Sequence, residues 1–331
     1  MKTILKVYSL LLLLSVTGPK LFAGDGDPMV EKKKTYSKSY TVSSSDKVSF
    51  NNQFGELKIN TWDKNEVKVD VTITAKANTD ERAQDILNQI EIKDWKSGNG
   101  VYFETKMDEN RKNRGGGDKY RNEGFSIDYV VNMPARNPLS ASNSFGGLII
   151  SDYSGEADIE SKFGSLTAGN LSNVKNVDVE FGRAIIESIN NGKLTVKFSQ
   201  ALVKKMSGSV KAEFEHSGDI KLGIDNNIKG LTVKNSFSTL YLDVSKNLSA
   251  NFDISTNFGE FDNRSDFNIK KEAEDEDDHG PVFDHKYTGK SGSGNVAMKI
   301  RSEFGQVVVG HNLPMNLEEN KKEEKKRTRS I

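Results

Sequence analysis

The 331-residue chain has no cysteine, only six prolines and four histidines, and 8 % aromatic residues. Without thiols there is no disulfide, no thiolate metal site, no cysteine nucleophile and no acylated cysteine anchor. That profile is odd for a small secreted eukaryotic domain and ordinary for a bacterial envelope protein held together by its core. The histidines, His216, His279, His285 and His311, are scattered, and no catalytic triad is legible among them. A Gly-x-Ser-x-Gly elbow, a His-Glu-x-x-His helix and a phosphate loop are lacking too. Basic and acidic residues number 47 each. A balanced chain has no general pull toward nucleic acid, so no nucleic-acid partner is expected.

Apolar runs are also short. The longest lies in MKTILKVYSLLLLLSVTGPKLFA, where Lys2 and Lys6 precede an apolar stretch from about Tyr8 to Val16, followed by Gly18-Pro19 and Ala23. Spanning a bilayer takes about 20 apolar residues. The basic, apolar, small-residue order is instead that of a secretory signal peptide over residues 1–23, which predicts an exported protein, periplasmic or on the cell surface, with no transmembrane segment once the leader is removed.

Among what is present, 28 glycines suit a turn-rich β chain. Phe-Gly-type pairs recur: Phe54 first, and then Phe145, Phe163, Phe181, Phe198, Phe214, Phe237, Phe258 and Phe304, which from Phe145 onward follow at steps of 16 to 23 residues and a last step of 46. Four positions before each phenylalanine the residue is always apolar, as in Phe50, Ile159, Val177 and Ile254. Three positions after it only Ser217 breaks an otherwise apolar or alanine column. Alternation on both sides is the period of two that a strand with one buried face requires. A short period repeated many times means stacked coils. The spacing therefore predicts an all-β fold, a parallel β-helix or β-solenoid behind a β-rich N-terminal unit with one short helix. In it the phenylalanines 145, 163, 181, 198, 214, 237, 258 and 304 form one ladder down the core. An antiparallel β-sandwich with unrelated hairpins fits the same alternation.

Just before the phenylalanine, four successive repeats carry Lys162, Glu180, Lys197 and Glu213, a column of alternating sign. Opposite charges on adjacent strands contribute about 0.2 to 1 kcal/mol per pair, so this column reads as a register device on a solvated face.

Along the chain the expected order is a flexible lead-in at 24–39, the N-terminal β-rich unit at 40–135, repeats at 136–312 with an acidic loop at 270–286, and a charged disordered tail at 313–331. In TDERAQDILNQI, Ala83, Ile86, Leu87 and Ile90 share a helical face, and Asn78 with Glu81 suggests a cap. The segment RKNRGGGDKYR at 111–121 reads as a loop, with polyanion binding as the other reading. Six acids at 272–278 read as a self-repelling loop, because their spacing is not that of a calcium loop. Asp152, Asp158, Glu160, Asp178, Glu180 and Glu187 are the acids that a sugar-cleaving β-helix would draw on.

The run VSFNNQFGELKINTWDKNEVKVDVTITAKANTDERAQDILNQIEI, followed by repeated Phe-Gly strands behind a leader, resembles the bacterial putative-adhesin domain family of unknown function, Bacteroidetes-type and related to the GIN-headed group. Phe54, Gly55, Leu57, Ile59, Trp62 and Asp63 carry the resemblance, which spans about residues 40–312. It implies an exported β-solenoid without known catalysis. The expectation is thus a non-catalytic, adhesin-like binding or structural protein of the cell envelope, without cofactor or catalytic or metal residues. Its partner is not legible; an envelope glycan or protein suits the class. The alternative is a glycan-active β-helix enzyme, a lyase or hydrolase.

Overall fold

A computed structural model describes residues 29–108, 123–273 and 283–317. The leader, the basic segment at 111–121, the acids from 274 to 278 with His279, and the tail from residue 318 lie outside the described residues. The chain divides into two compact units between Gly164 and Ser165.

In the first unit the elements follow as β1 (Val30–Thr41), β2 (Lys47–Gln53), β3 (Leu57–Trp62), β4 (Glu66–Ala77), α1 (Asp80–Asn88), β5 (Ile90–Ser97), β6 (Gly100–Met107), β7 (Gly124–Pro134), β8 (Leu139–Ser144), β9 (Gly147–Ile150) and β10 (Tyr153–Lys162). One sheet face runs β5–β6–β2–β8–β10, antiparallel at its first pair and parallel thereafter. The other runs β1–β4–β7–β3–β9, antiparallel up to β7 and then parallel. Phe50, Ile59, Val69, Phe103, Ile127 and Tyr129 are buried in the core.

Two expectations change here. Residues 30–39, part of the lead-in expected to be flexible at 24–39, belong to β1, which pairs with β4 along its full length. Alternation is the reason. Lys32, Lys34, Tyr36, Lys38 and Tyr40 turn to one side, half-buried, with long stems lying on apolar surface and polar ends reaching Asp80, the Ile90 carbonyl and Asp94. The helix is capped by Thr79, not Asn78. The Thr79 hydroxyl accepts from the Arg82 N–H at 3.2 Å, and Ala83, Ile86 and Leu87 are buried as the periodicity predicts.

In the second unit β11 (Ser165–Glu180), β12 (Arg183–Lys197), β13 (Gln200–Glu215) and β14 (Asp219–Ser236) are long strands, followed by β15 (Thr239–Val244), β16 (Ala250–Asn257), β17 (Glu260–Arg264), β18 (Asn268–Lys271), β19 (Asp284–Lys290), β20 (Val296–Glu303) and β21 (Gln306–Gly310). β11 to β14 pair in parallel, and their registers shift part-way along, as at Asn190–Gly192. Asn191 and Gly192 there have φ of 62° and 98°. The first half of β14 is followed by β15, β21 and β17, all parallel. Its second half is followed by β20 and β16, also parallel, and then by the antiparallel pair β19 and β18.

Spatial order therefore departs from chain order. The last coil, β20 with β21, is inserted between β14–β15 and β16–β17, which come before it in sequence. The 46-residue step from Phe258 to Phe304 contains this return and not a simple insertion between successive coils.

Candidate functional site

Phe54, Phe145, Phe163, Phe181, Phe198, Phe237, Phe258 and Phe304 all sit in the left-handed region, with φ between 47° and 61°. Each is the corner residue between a strand of one face and a strand of the other. A left-handed residue interrupts the alternation and swings its Cβ outward. Seven of these rings are 47 to 51 % exposed, so the phenylalanines form ridges on the surface where a core column was expected. The core column consists of residues on either side, such as Val177, Leu194, Val233, Leu166 and Ala184.

Within the first unit Phe54 stacks on Phe145 and Phe145 on Phe163, each at 4.9 Å between centroids. In the second unit the order is Phe181, Phe198, His216, Phe237, Phe304, Phe258, Phe283, at 4.3 to 5.3 Å. The interplanar angles up to Phe258 are 7° or less. Phe214 is not a member. It is 1 % exposed, in the core, and His216 takes the corner with φ of 46°. A shift of two residues keeps a side chain on the same side of a strand, so alternation alone does not separate Phe214 from His216.

The same shift corrects the charge column. Glu180 does stand opposite Lys197, but the next position is Glu215, whose carboxylate lies 3.0 Å from the Lys197 ammonium. Glu213 pairs instead with Lys193 at 2.8 Å. Glu215 raises the Lys197 pKa above its ordinary value, and Lys193 lowers that of Glu213. Lys162, in the first unit, lies 2.6 Å from Glu160 on its own strand.

The residue after each corner is small for two reasons. At Gly146 and Gly164 a Cβ would come within 1.9 Å of the preceding coil's carbonyl oxygen. At Ser199, Ser217 and Ser238 the hydroxyl is used: the Gly182 N–H donates to Ser199 Oγ at 2.9 Å, and the Ser217 N–H to Ser238 Oγ at 2.9 Å. Each serine hydroxyl also donates to the carbonyl two residues back, that of Lys197, Glu215 or Ser236.

Of the acids that a glycan-cleaving site would draw on, Glu160, Asp178 and Glu187 are individually tethered. Glu160 is held by Lys162 and by the Ser142 hydroxyl at 2.8 Å, which keep its carboxyl below the usual range. Glu187 lies 2.6 Å from Lys204, and the Asn176 amide donates to Asp178. A cavity of about 830 Å³ in the second unit includes Glu213, Lys234, Asp284 and Arg301 in its lining. Arg301 is engaged by Asp253 at 2.9 Å. His311 lies between the Val244 carbonyl at 2.6 Å and Asp266 at 2.8 Å. Among the described residues no group of three His, Asp or Glu side chains gathers as metal ligands, and no helix is long and apolar enough to cross a membrane.

Solved structures similar to the chain include two whose names give them as putative adhesion proteins. One is a putative adhesin from Bacteroides fragilis, 9 % identical with a TM-score of 0.38, covering 83 % of this chain and 97 % of that one. The other is a putative cell adhesion protein from Clostridium sporogenes, 16 % identical with a TM-score of 0.27, covering 85 % of this chain and 100 % of that one. No family model and no curated protein matches the chain.

The two tryptophans differ. Trp62 donates its Nε1–H to the Glu66 carbonyl at 2.7 Å, with the Lys64 ammonium 4.8 Å above its ring. Trp95, on β5, stacks on Tyr102 at 5.0 Å and is 41 % exposed.

Proposed function

We propose that the chain is a non-catalytic, exported protein of the cell envelope, adhesin-like, which binds its partner through the flat outer faces of its stacked strands. The observation that carries this reading is the parallel register, which sets outward side chains of successive strands in straight rows on a rigid backing. The leader signature at residues 1–23 supports export. Kinship to the GIN-headed group is part of the proposal and rests on Phe54, Gly55, Leu57, Ile59, Trp62 and Asp63.

A glycosidase holds its acid with a raised pKa, whereas the neighbours of Glu160 and Glu213 hold theirs low. The test is incubation of the purified protein with a panel of polysaccharides and with intact cells. Retention on cells or glycan without change in chain length is expected. Shortening of any polysaccharide would transfer the protein to the glycan-active class. Protease treatment of intact cells then separates a surface location from a periplasmic one.

A further inference from the structure

The outward side of the sheet β5–β6–β2–β8–β10 carries residues in cross-strand register. One row reads Trp95, Tyr102, Ser49, Ser140, Asp158. Beside it lie Lys93, Glu104, Asn51, Ser142 and Glu160 in the same register. With strands about 4.8 Å apart, the row spans roughly 19 Å, the reach of a short oligosaccharide.

At one end stands the exposed indole. Tyr102 lies over Gly100, where a Cβ would come within 2.4 Å of the phenolic oxygen, so this glycine provides the seat of the ring. Covering Gly100 accounts for Tyr102. It does not account for Trp95, which stacks on Tyr102 and keeps 41 % of its surface open on an edge strand. The phenylalanine ridges are no substitute as a stacking platform, because their ring faces are taken up by one another.

The remainder of the two rows is hydroxyl, amide and carboxylate, with the Lys93 ammonium at one end of the second. Aliphatic side chains, which a protein interface buries at its centre, do not occur in these rows. Of the lysines on this face, Lys93 is ion-paired with Glu91 at 3.7 Å, Lys106 with Glu104 at 2.6 Å and Lys162 with Glu160 at 2.6 Å, each along its own strand. Lys47 is exposed beside Ser49, and is outnumbered by Asp158, Glu104 and Glu160 in the rows themselves. Such a face offers little to an anionic sugar. A neutral pyranose, with an apolar C–H face and a rim of hydroxyls that donate and accept, matches an aromatic group followed by hydroxyls and an amide.

We propose that this face of the first unit binds a neutral glycan, with Trp95 as the stacking group and Ser49, Ser140, Asn51 and Ser142 as hydrogen-bonding partners. The proposal rests on the binding role argued above and assigns it a site and a ligand class.

Trp62→Phe leaves Trp95 as the sole indole of the full chain, which has two tryptophans. That variant is titrated with cellohexaose, xylohexaose, mannohexaose and polygalacturonate while tryptophan emission is followed, with calorimetry as a second readout. A neutral hexasaccharide should shift the emission. In the otherwise unaltered chain, Trp95→Ala and Ser140→Arg should each weaken its binding by about tenfold or more, at unchanged melting temperature. Neutral-glycan binding untouched by both substitutions overturns the site and leaves the binding role standing. Binding of polygalacturonate alone overturns the ligand class. Retention on cells with no glycan bound overturns the inference in favour of a protein partner, while shortening of a glycan overturns the non-catalytic reading itself.

Discussion

At the scale of single residues, the decisive feature is a left-handed phenylalanine. An L-residue in this conformation costs about 1 to 2 kcal/mol, and each corner but one described above accepts that cost with the same side chain. Stacking at 4.6 to 5.3 Å from corner to corner offsets part of it. Two phenylalanines that look alike in sequence differ in this respect. Phe214 fills the core, so Phe214→Ala should destabilise by about 3 to 5 kcal/mol. Phe198 lies on the ridge, 49 % exposed at φ of 49°, so Phe198→Ala should cost clearly less. Phe198→Gly should cost less again, since glycine enters the left-handed region without strain. Denaturant melts of the three variants test the order; equal losses at 198 and 214 would mean that the ridge is as buried as the core.

At the scale of elements, the coils were legible and their arrangement was not. The columns around Phe54, Phe145, Phe163 and Phe181 gave the strands because buried faces impose a period of two. That the phenylalanines face out was hidden, since the corner lies where the alternation breaks. The Phe214 to His216 slip preserved facing, and the Glu213 to Glu215 error followed from it. β1 was missed because its inward positions are lysines and tyrosines, which satisfy a half-buried surface without reading as apolar. Trp95 gains meaning only from register with Tyr102, Ser49 and Ser140, which are distant in sequence. The order of β20 and β21 is invisible to any period counted along the chain.

That order makes its own prediction. Ile300 in β20 is fully buried, so Ile300→Ala should cost about 2 to 5 kcal/mol. Because β20 pairs with β14 on one side and β16 on the other, amide exchange should quicken in β16 as well as in β14, and less in β11 and β12. Coils stacked in chain order would instead put β20 beyond β16 and leave β14 unaffected.

At the scale of the whole molecule, stability should respond to pH through many small ion pairs with no single controlling site. Lys33 beside Glu31, the Ser43 hydroxyl on Asp46, Lys162 beside Glu160, Lys193 beside Glu213 and Arg301 beside Asp253 each hold a carboxyl below its ordinary value. A group whose folded pKa is depressed stabilises fully above its unfolded pKa, here 3.8 for aspartate and 4.5 for glutamate. That contribution disappears as pH falls through the lower folded value. At the other end, burial and then hydrogen bonds to Asp94 raise the phenols of Tyr36 and Tyr40. Their contribution is complete below the unfolded value of 10.0 and is lost as pH rises toward the folded values. The melting temperature should accordingly form a plateau between about pH 5 and pH 9, with a fall on either side. Glu160→Gln should make the acid limb shallower and leave the alkaline limb alone. A decline that already begins near pH 6.5 would take control away from the carboxyls and phenols named here.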